Sequence, residues 1–416
     1  MGLLALSSVL LSCGEPALSS YQMNYSDSHG DYESSIYYDD SFFEGSSFEY
    51  SPQLASASLS FAMASFASAE SSAVSSLTRY KNIKNLLFNT GFKGFSCNED
   101  YQRRSQQDTI GLVFAHKQVY GKELIYVGIR GANYEMEWAS NLSIADPNAE
   151  YDPVTSSPYH YGFYTAASQL LTELSTYIAS AGINGDIKVW TSGYSRAGAT
   201  ANIAGGLLDQ AIDEGRKPLG EGVSLKKEDL YVYCFEPPMG APNDADESGK
   251  LNARSERYSN IFCMVNFNDP VPMVAMKEVG YTRFGIDRYY PDAVSYADPE
   301  AYQQAVKNQY ANLPNYQSRG GKFLLDDFKI KTLSGFSLAD DRTAKTWTQG
   351  LFLKELVSEL TKYGLGAESD ELMGEAKINY VAYIQPACRT LFRLLYQSGK
   401  FKGSLIDIGV SLINDL

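Results

Sequence analysis

The chain is short of several things that would narrow its chemistry at once. It has only three histidines, His29, His116 and His160, so any imidazole base or ligand must come from these three. No lysine or arginine precedes Arg79. No segment approaches the roughly 18 unbroken apolar residues that a membrane-spanning helix needs. The five cysteines include no CxxC pair, and no Cys/His spacing suits zinc, so neither a metal site nor a disulfide framework is expected. Cys234 and Cys263 lie in the apolar runs YVYCF and IFCMVNF, where a buried free thiol is expected. The net charge of −14 argues against nucleic acid as a partner. No cofactor motif is evident.

That acidity is lopsided. Glu15, Asp27, Asp31, Glu33, Asp39, Asp40, Glu44, Glu49 and Glu70 all precede the first basic residue. Residues 14–56, rich in Ser, Tyr, Asp and Glu, read as a disordered acidic tether that buries too little surface to offset chain entropy. Ahead of it, MGLLALSSVLLSCGE carries a short apolar run ending at Ser12-Cys13, which resembles the lipobox of bacterial lipoproteins. That resemblance implies cleavage of segment 1–13, lipidation of Cys13, and display at the outer face of a bacterial membrane. An ordinary secretory signal is the alternative.

Residues 53–75 and 79–89 read as helices. From Thr109, IGLVFAHKQVYGKELIYVGIRGAN reads as a hairpin turning near Tyr120-Gly121. A helix from about 161 to 181 follows, with apolar residues near helical spacing. Strands are expected at 187–191, 231–238 and 261–272. Alternating helices and continuously apolar strands predict an α/β fold, a mostly parallel sheet covered on both faces, over 57–292. Residues 293–416 read as a mostly helical extension with amphipathic stretches near 299–311, 345–363 and 371–397.

The chemistry-bearing stretch is DIKVWTSGYSRAGATANIAGG, residues 186–206. An apolar strand breaks at Ser192-Gly193-Tyr194-Ser195-Arg196-Ala197, and a small-residue helix follows. Strand, Gly-x-Ser-x-small, helix is a nucleophile elbow: the turn projects Ser195 Oγ above the sheet, and small residues at 193 and 197 let strand and helix approach. A βα turn that happens to carry a serine would read the same way.

Three further segments carry a family resemblance. Ile129-Arg130-Gly131-Ala132 is followed by Glu137-Trp138 and Asn141-Leu142; then come His160-Tyr161-Gly162-Phe163, and Asn268-Asp269-Pro270-Val271-Pro272 with Gly280-Tyr281 and Tyr289. With the elbow, and in this order, they resemble the class 3, fungal-type lipases of the α/β-hydrolase superfamily. The resemblance implies Ser195 as nucleophile towards an ester or lipid, Asp269 as the orienting acid, and the backbone N–H groups of Arg196 and Ala132 as oxyanion donors. It also implies a histidine after Asp269, and the chain has none. His160 matches a family histidine that is not the base, so it either supports the site or serves as a rewired base. Two functions follow as expectations: a surface-anchored serine ester hydrolase with an atypical base, or an inactive lipase-fold domain that binds lipid or a protein partner.

Overall fold

The computed structural model describes residues 19–27, 30–65, 80–102, 108–131, 135–152, 155–243, 253, 256–265, 271–273, 280–289 and 377–398. Segment 1–13 with Cys13, and the helical stretches expected at 299–311 and 345–363, lie outside them.

The acidic N-terminal segment is not a tether where it is described. It forms an antiparallel pair, β1 (Ser19–Asp27) and β2 (Gly30–Tyr38), then a 3₁₀ turn at Asp40–Phe43 capped by the Asp39 carboxylate, which accepts the Ser41 N–H at 2.8 Å. Ile36, Tyr38 and Phe43 are buried. Phe43 meets Trp190 at 5.2 Å between ring centroids, and Tyr38 stacks on the same indole at 6.0 Å. Charge and serine content argued for disorder; the aromatic rings between those residues bury enough area to hold the segment on the sheet.

Helix α1 (Pro52–Ser65) is buried along nearly its whole length, from Leu54 to Ser65. Alternating Ala and Ser make this possible, because the side chains are small and the hydroxyls find partners within reach. Ser60 and Ser65 donate to the carbonyls four residues back, and Ser58 Oγ accepts the Trp190 indole N–H at 2.8 Å. The helix covers the described part of the one expected at 53–75; residues 66–79 lie outside the described set. Helix α2 (Lys81–Asn89) buries Ile83, Leu86 and Leu87, one face at helical spacing.

Strand β3 (Lys93–Cys97), the short α3 (Glu99–Gln102), β4 (Leu112–Val119) and β5 (Lys122–Ile129) come next. The expected hairpin is β4–β5, closed by Tyr120 and Gly121 at φ 47 and 75. Two successive left-handed residues twist the turn in the sense the strands require. After α4 (Glu135–Asn141) and α5 (Tyr161–Ser180) follow β6 (Gly185–Tyr194), α6 (Arg196–Asp213), β7 (Val223–Phe235), β8 (Ala241–Pro242), β9 (Ile261–Val265), β10 (Tyr281–Thr282), β11 (Ile286–Tyr289) and α7 (Gln385–Ser398).

Seven strands form one sheet in the order β11-β9-β7-β6-β5-β4-β3. From β5 through β11 every pairing is parallel, and only β4 runs against its neighbours. Strand alternation sorts the core into two faces. Tyr126, Trp190, Tyr231, Tyr233 and Phe235 join the side covered by β2 and α1. Val127, Val189, Leu230, Val232 and Cys234 join the side covered by α5 and α6. A mostly parallel sheet with helices on both faces and a sharp strand-to-helix turn at its centre is the α/β-hydrolase fold. Cys234 and Cys263 are free and buried on adjacent strands, as expected.

Candidate active site

Ser195 is the hinge between β6 and α6. Its backbone is left-handed, φ 58 and ψ −126, conformations that a residue with a Cβ adopts only when its surroundings enforce them. Two things enforce it here. The Ser195 N–H donates to the Phe235 carbonyl of β7 at 2.9 Å, and the Ser195 carbonyl accepts the Ala199 N–H at 3.0 Å. Strand and helix are thereby drawn so close that a Cβ on Gly193 would stand 2.3 Å from the Ala197 carbonyl oxygen. On Gly198 a Cβ would lie 2.9 Å from the Phe235 oxygen and 3.1 Å from that of Gly193. The two obligate glycines are thus 193 and 198, whereas the Ala197 methyl is buried in the α6-side core and tolerated. The five-residue pattern drew attention to 197; the contacts across to β7 reveal 198, which no local string could.

Arg196 opens α6, so its backbone N–H belongs to the first helical turn, whose donors lack intrahelical acceptors and favour negative charge. Its side chain turns inward and is completely buried. There the guanidinium donates to the Thr109 carbonyl at 2.8 Å and to Ser140 Oγ at 3.1 Å. Burial lowers its pKa, with Glu137 and Asp108 opposing. Glu137 is itself paired with Arg130, whose other nitrogen donates to the Tyr101 carbonyl at 2.6 Å. The sequence motif at 130 and 137 is therefore a buried ion pair that ties α4 to the end of β5, beside the elbow.

His160 caps the start of α5, its N–H donating to the Gly240 carbonyl at 3.0 Å. The ring is 1 % exposed, stacks on Phe163 at 4.2 Å and meets Tyr281 edge-on at 5.7 Å. Burial lowers its pKa to about 3, against the pull of the carbonyls of His160 and Asn141. This is the setting of a neutral, packed imidazole. His116 is on β4, its Nδ1 2.6 Å from the Tyr177 hydroxyl, away from the elbow strand. Asp269 and Ala132 lie outside the described residues, as does His29.

Two features went unread in the sequence. Helix α7 fastens onto the loop after α4 and the segment before β4: Gln385 Oε1 accepts the N–H groups of Ile144 and Ala145, Arg389 donates to Ser143 Oγ at 2.9 Å, and Arg389 pairs with Asp108 at 2.8 Å. These partners are more than 200 residues apart in sequence, and no local pattern links them. The second feature is Glu236, at the end of β7. It is 1 % exposed, has φ 46, and its N–H donates to the Met264 carbonyl at 2.9 Å. Ser195 and Glu236 are thus left-handed neighbours on adjacent strand ends.

The arrangement offers a strained serine, first-turn helix N–H groups beside it, and buried charges fixing the surrounding loops. No protein-family model matches the chain, and no curated protein matches it. Among solved structures it is similar to a fungal lipase in an inhibitor complex, with 22% identity over 45% of this chain and 63% of that one, and a TM-score of 0.31. It is also similar to the native propeptide complex of Rhizomucor miehei lipase, with 20% identity, 44% and 54% coverage and a TM-score of 0.30. A third is another fungal lipase, with 15% identity, 56% and 77% coverage and a TM-score of 0.36. The chain spans less than two thirds of the length of the first two lipases.

Proposed function

We propose that the chain is a serine ester hydrolase, lipase- or esterase-like, with Ser195 as nucleophile. The observation that carries this reading is the backbone of Ser195, left-handed at a strand-to-helix turn that its neighbours close tightly. A serine held this way presents Oγ to a carbonyl carbon while the first turn of α6 faces the developing oxyanion. Attack forms the Oγ–C bond, and the Arg196 N–H, with that of Ala132, stabilises the charge on oxygen. Expulsion of the alcohol leaves an acyl-serine for water to cleave. Asp269 is the acid of this site in the reading from sequence. Export and anchorage through Cys13 complete the proposal.

The test is turnover of short-chain p-nitrophenyl esters, lost on Ser195→Ala by about 10³-fold or more. The scarcity of histidine favours a second reading, an inactive domain that binds lipid or a protein partner. Absence of turnover across acyl lengths would establish that reading instead. Anchorage is tested separately by labelled palmitate: wild type should incorporate it and Cys13→Ala should not.

A further inference from the structure

Two arginines from helices far apart in the chain grip the same two segments. Arg196, the first residue of α6, donates from its guanidinium to the Thr109 carbonyl at 2.8 Å and to Ser140 Oγ at 3.1 Å. Arg389 of α7 joins the residues beside these. Its two Nη atoms donate to the Asp108 carboxylate at 3.0 and 2.8 Å, and Nη1 also donates to Ser143 Oγ at 2.9 Å. The segment before β4 and the end of α4 are therefore clamped twice. Asp108 serves both clamps, since its charge also opposes the effect of burial on the Arg196 cation. Only a planar guanidinium bonds a carboxylate through two parallel donors and still reaches a third acceptor.

Other contacts of the C-terminal segment fall on the same stretch of chain. Phe392 joins Met136 and Ala139 of α4 in one buried cluster. Tyr380, ahead of α7, donates its hydroxyl to the Leu142 carbonyl at 2.8 Å. The Gln385 amide donates to the Ala145 carbonyl at 2.8 Å while its oxygen accepts the Ile144 and Ala145 N–H groups. The opposite side of α7 is open, with Leu391 and Leu394 exposed. These are directional bonds, and they fix where α4 lies as well as covering it.

The place of α4 matters to the proposed chemistry. The helix begins at Glu135, shortly after Ala132, one of the two proposed oxyanion donors. The other donor is the N–H of Arg196, whose own guanidinium is seated on Ser140 of α4. Both donors thus hang from the frame that Arg389 ties together. Oxyanion donors act only when they sit within about 3 Å of the developing charge, and a misplacement of about 1 Å can cost about 10²-fold.

We propose that Arg389 is a positioning residue of the hydrolytic site. By tying Asp108 to Ser143 it holds α4 against Arg196, and so sets the spacing of the two oxyanion donors. The C-terminal helix is then part of the machinery, acting through α4 rather than on the substrate.

This inference rests on the hydrolase reading, and the experiment separates the two. Full-length wild type, Arg389→Ala, Arg389→Lys and Leu394→Ala, the last on the exposed side of the same helix, are titrated to completion with a fluorophosphonate probe. Turnover of p-nitrophenyl esters is then expressed per labelled serine. A residue that only stabilises the fold changes the number of labelled sites and leaves turnover per site alone. Arg389→Ala should lose about 10- to 10²-fold in kcat per site with KM little changed. Arg389→Lys keeps the charge without the planar fork and should lose about three-fold or more, and it carries the test if Arg389→Ala does not fold. Leu394→Ala should match wild type. An active wild type with Arg389→Ala within about ten-fold of it per site, or in its stead Arg389→Lys within about three-fold, overturns the positioning role alone. So does a loss expressed in KM instead of kcat, or an equal loss in Leu394→Ala. A wild type without turnover overturns the hydrolase reading, and the positioning role with it.

Discussion

The space between Gly193 and Ala197 decides whether the elbow can form. A Cβ on Gly193 would lie 2.3 Å from the Ala197 carbonyl oxygen and 2.8 Å from the Gly198 nitrogen, both backbone atoms that cannot swing aside. Gly193→Ala must therefore open the turn. The variant should lose several degrees or more in Tm and lose Ser195 reactivity. Ala197→Gly removes only a buried methyl and costs about 1 kcal/mol through helix propensity. Thermal melts of the two variants side by side check this; equal Tm values would contradict the steric account.

The Arg130–Glu137 pair is buried on both sides, with the Arg196 guanidinium close by. Removing the Glu137 carboxylate leaves two buried cations with less to balance them. Glu137→Gln should destabilise the fold by about 3–5 kcal/mol. Urea denaturation measures it. A loss under 1 kcal/mol would mean that water or other groups already neutralise these arginines.

The aromatic contacts of the N-terminal segment give a third test. Phe43 packs on Trp190 and edge-on against Tyr231, each at 5.2 Å. Phe43→Ala should cost about 3–5 kcal/mol, as expected of a buried aromatic. Truncating the chain before residue 50 should cost more. Unchanged denaturation midpoints would restore the view of this segment as a solvated spacer.

A fourth prediction concerns pH. Asp209 on α6 is buried, its Oδ1 accepting from Asn260 Nδ2 at 3.2 Å; burial raises its pKa to about 7, with Lys227 the main opposing influence. The folded state thus holds this proton more tightly than the unfolded chain, whose aspartate titrates near 4. The associated stability is complete below about pH 4 and is lost as pH rises through about 7. Asp209→Asn should remove that slope and be more stable than wild type at pH 8. Parallel urea titrations from pH 5 to 8 check it, and parallel slopes for both proteins would refute it.

What could be read in advance depended on range. The β4–β5 hairpin, the β6–Ser195–α6 turn and the helix at 161–181 are written in periodicity and turn residues within one window, and the structure has them. Helix α1 was legible as a helix, and the structure has it over Pro52–Ser65. The tether failed because composition averages away Tyr38 and Phe43, whose effect depends on Trp190 some 150 residues later in the chain. Gly198 and Glu236 were invisible for a related reason. Their significance comes from β7 lying beside β6, and strand order is not a property of any one segment.

The proposed hydrolase stands or falls on Ser195 as an activated nucleophile. The most direct measurement is labelling of purified wild type by a fluorophosphonate probe, with the modified residue located by peptide mass spectrometry. The prediction is stoichiometric modification at Ser195 alone, abolished in Ser195→Ala. A folded wild type that stays unlabelled, or is labelled elsewhere, would contradict it.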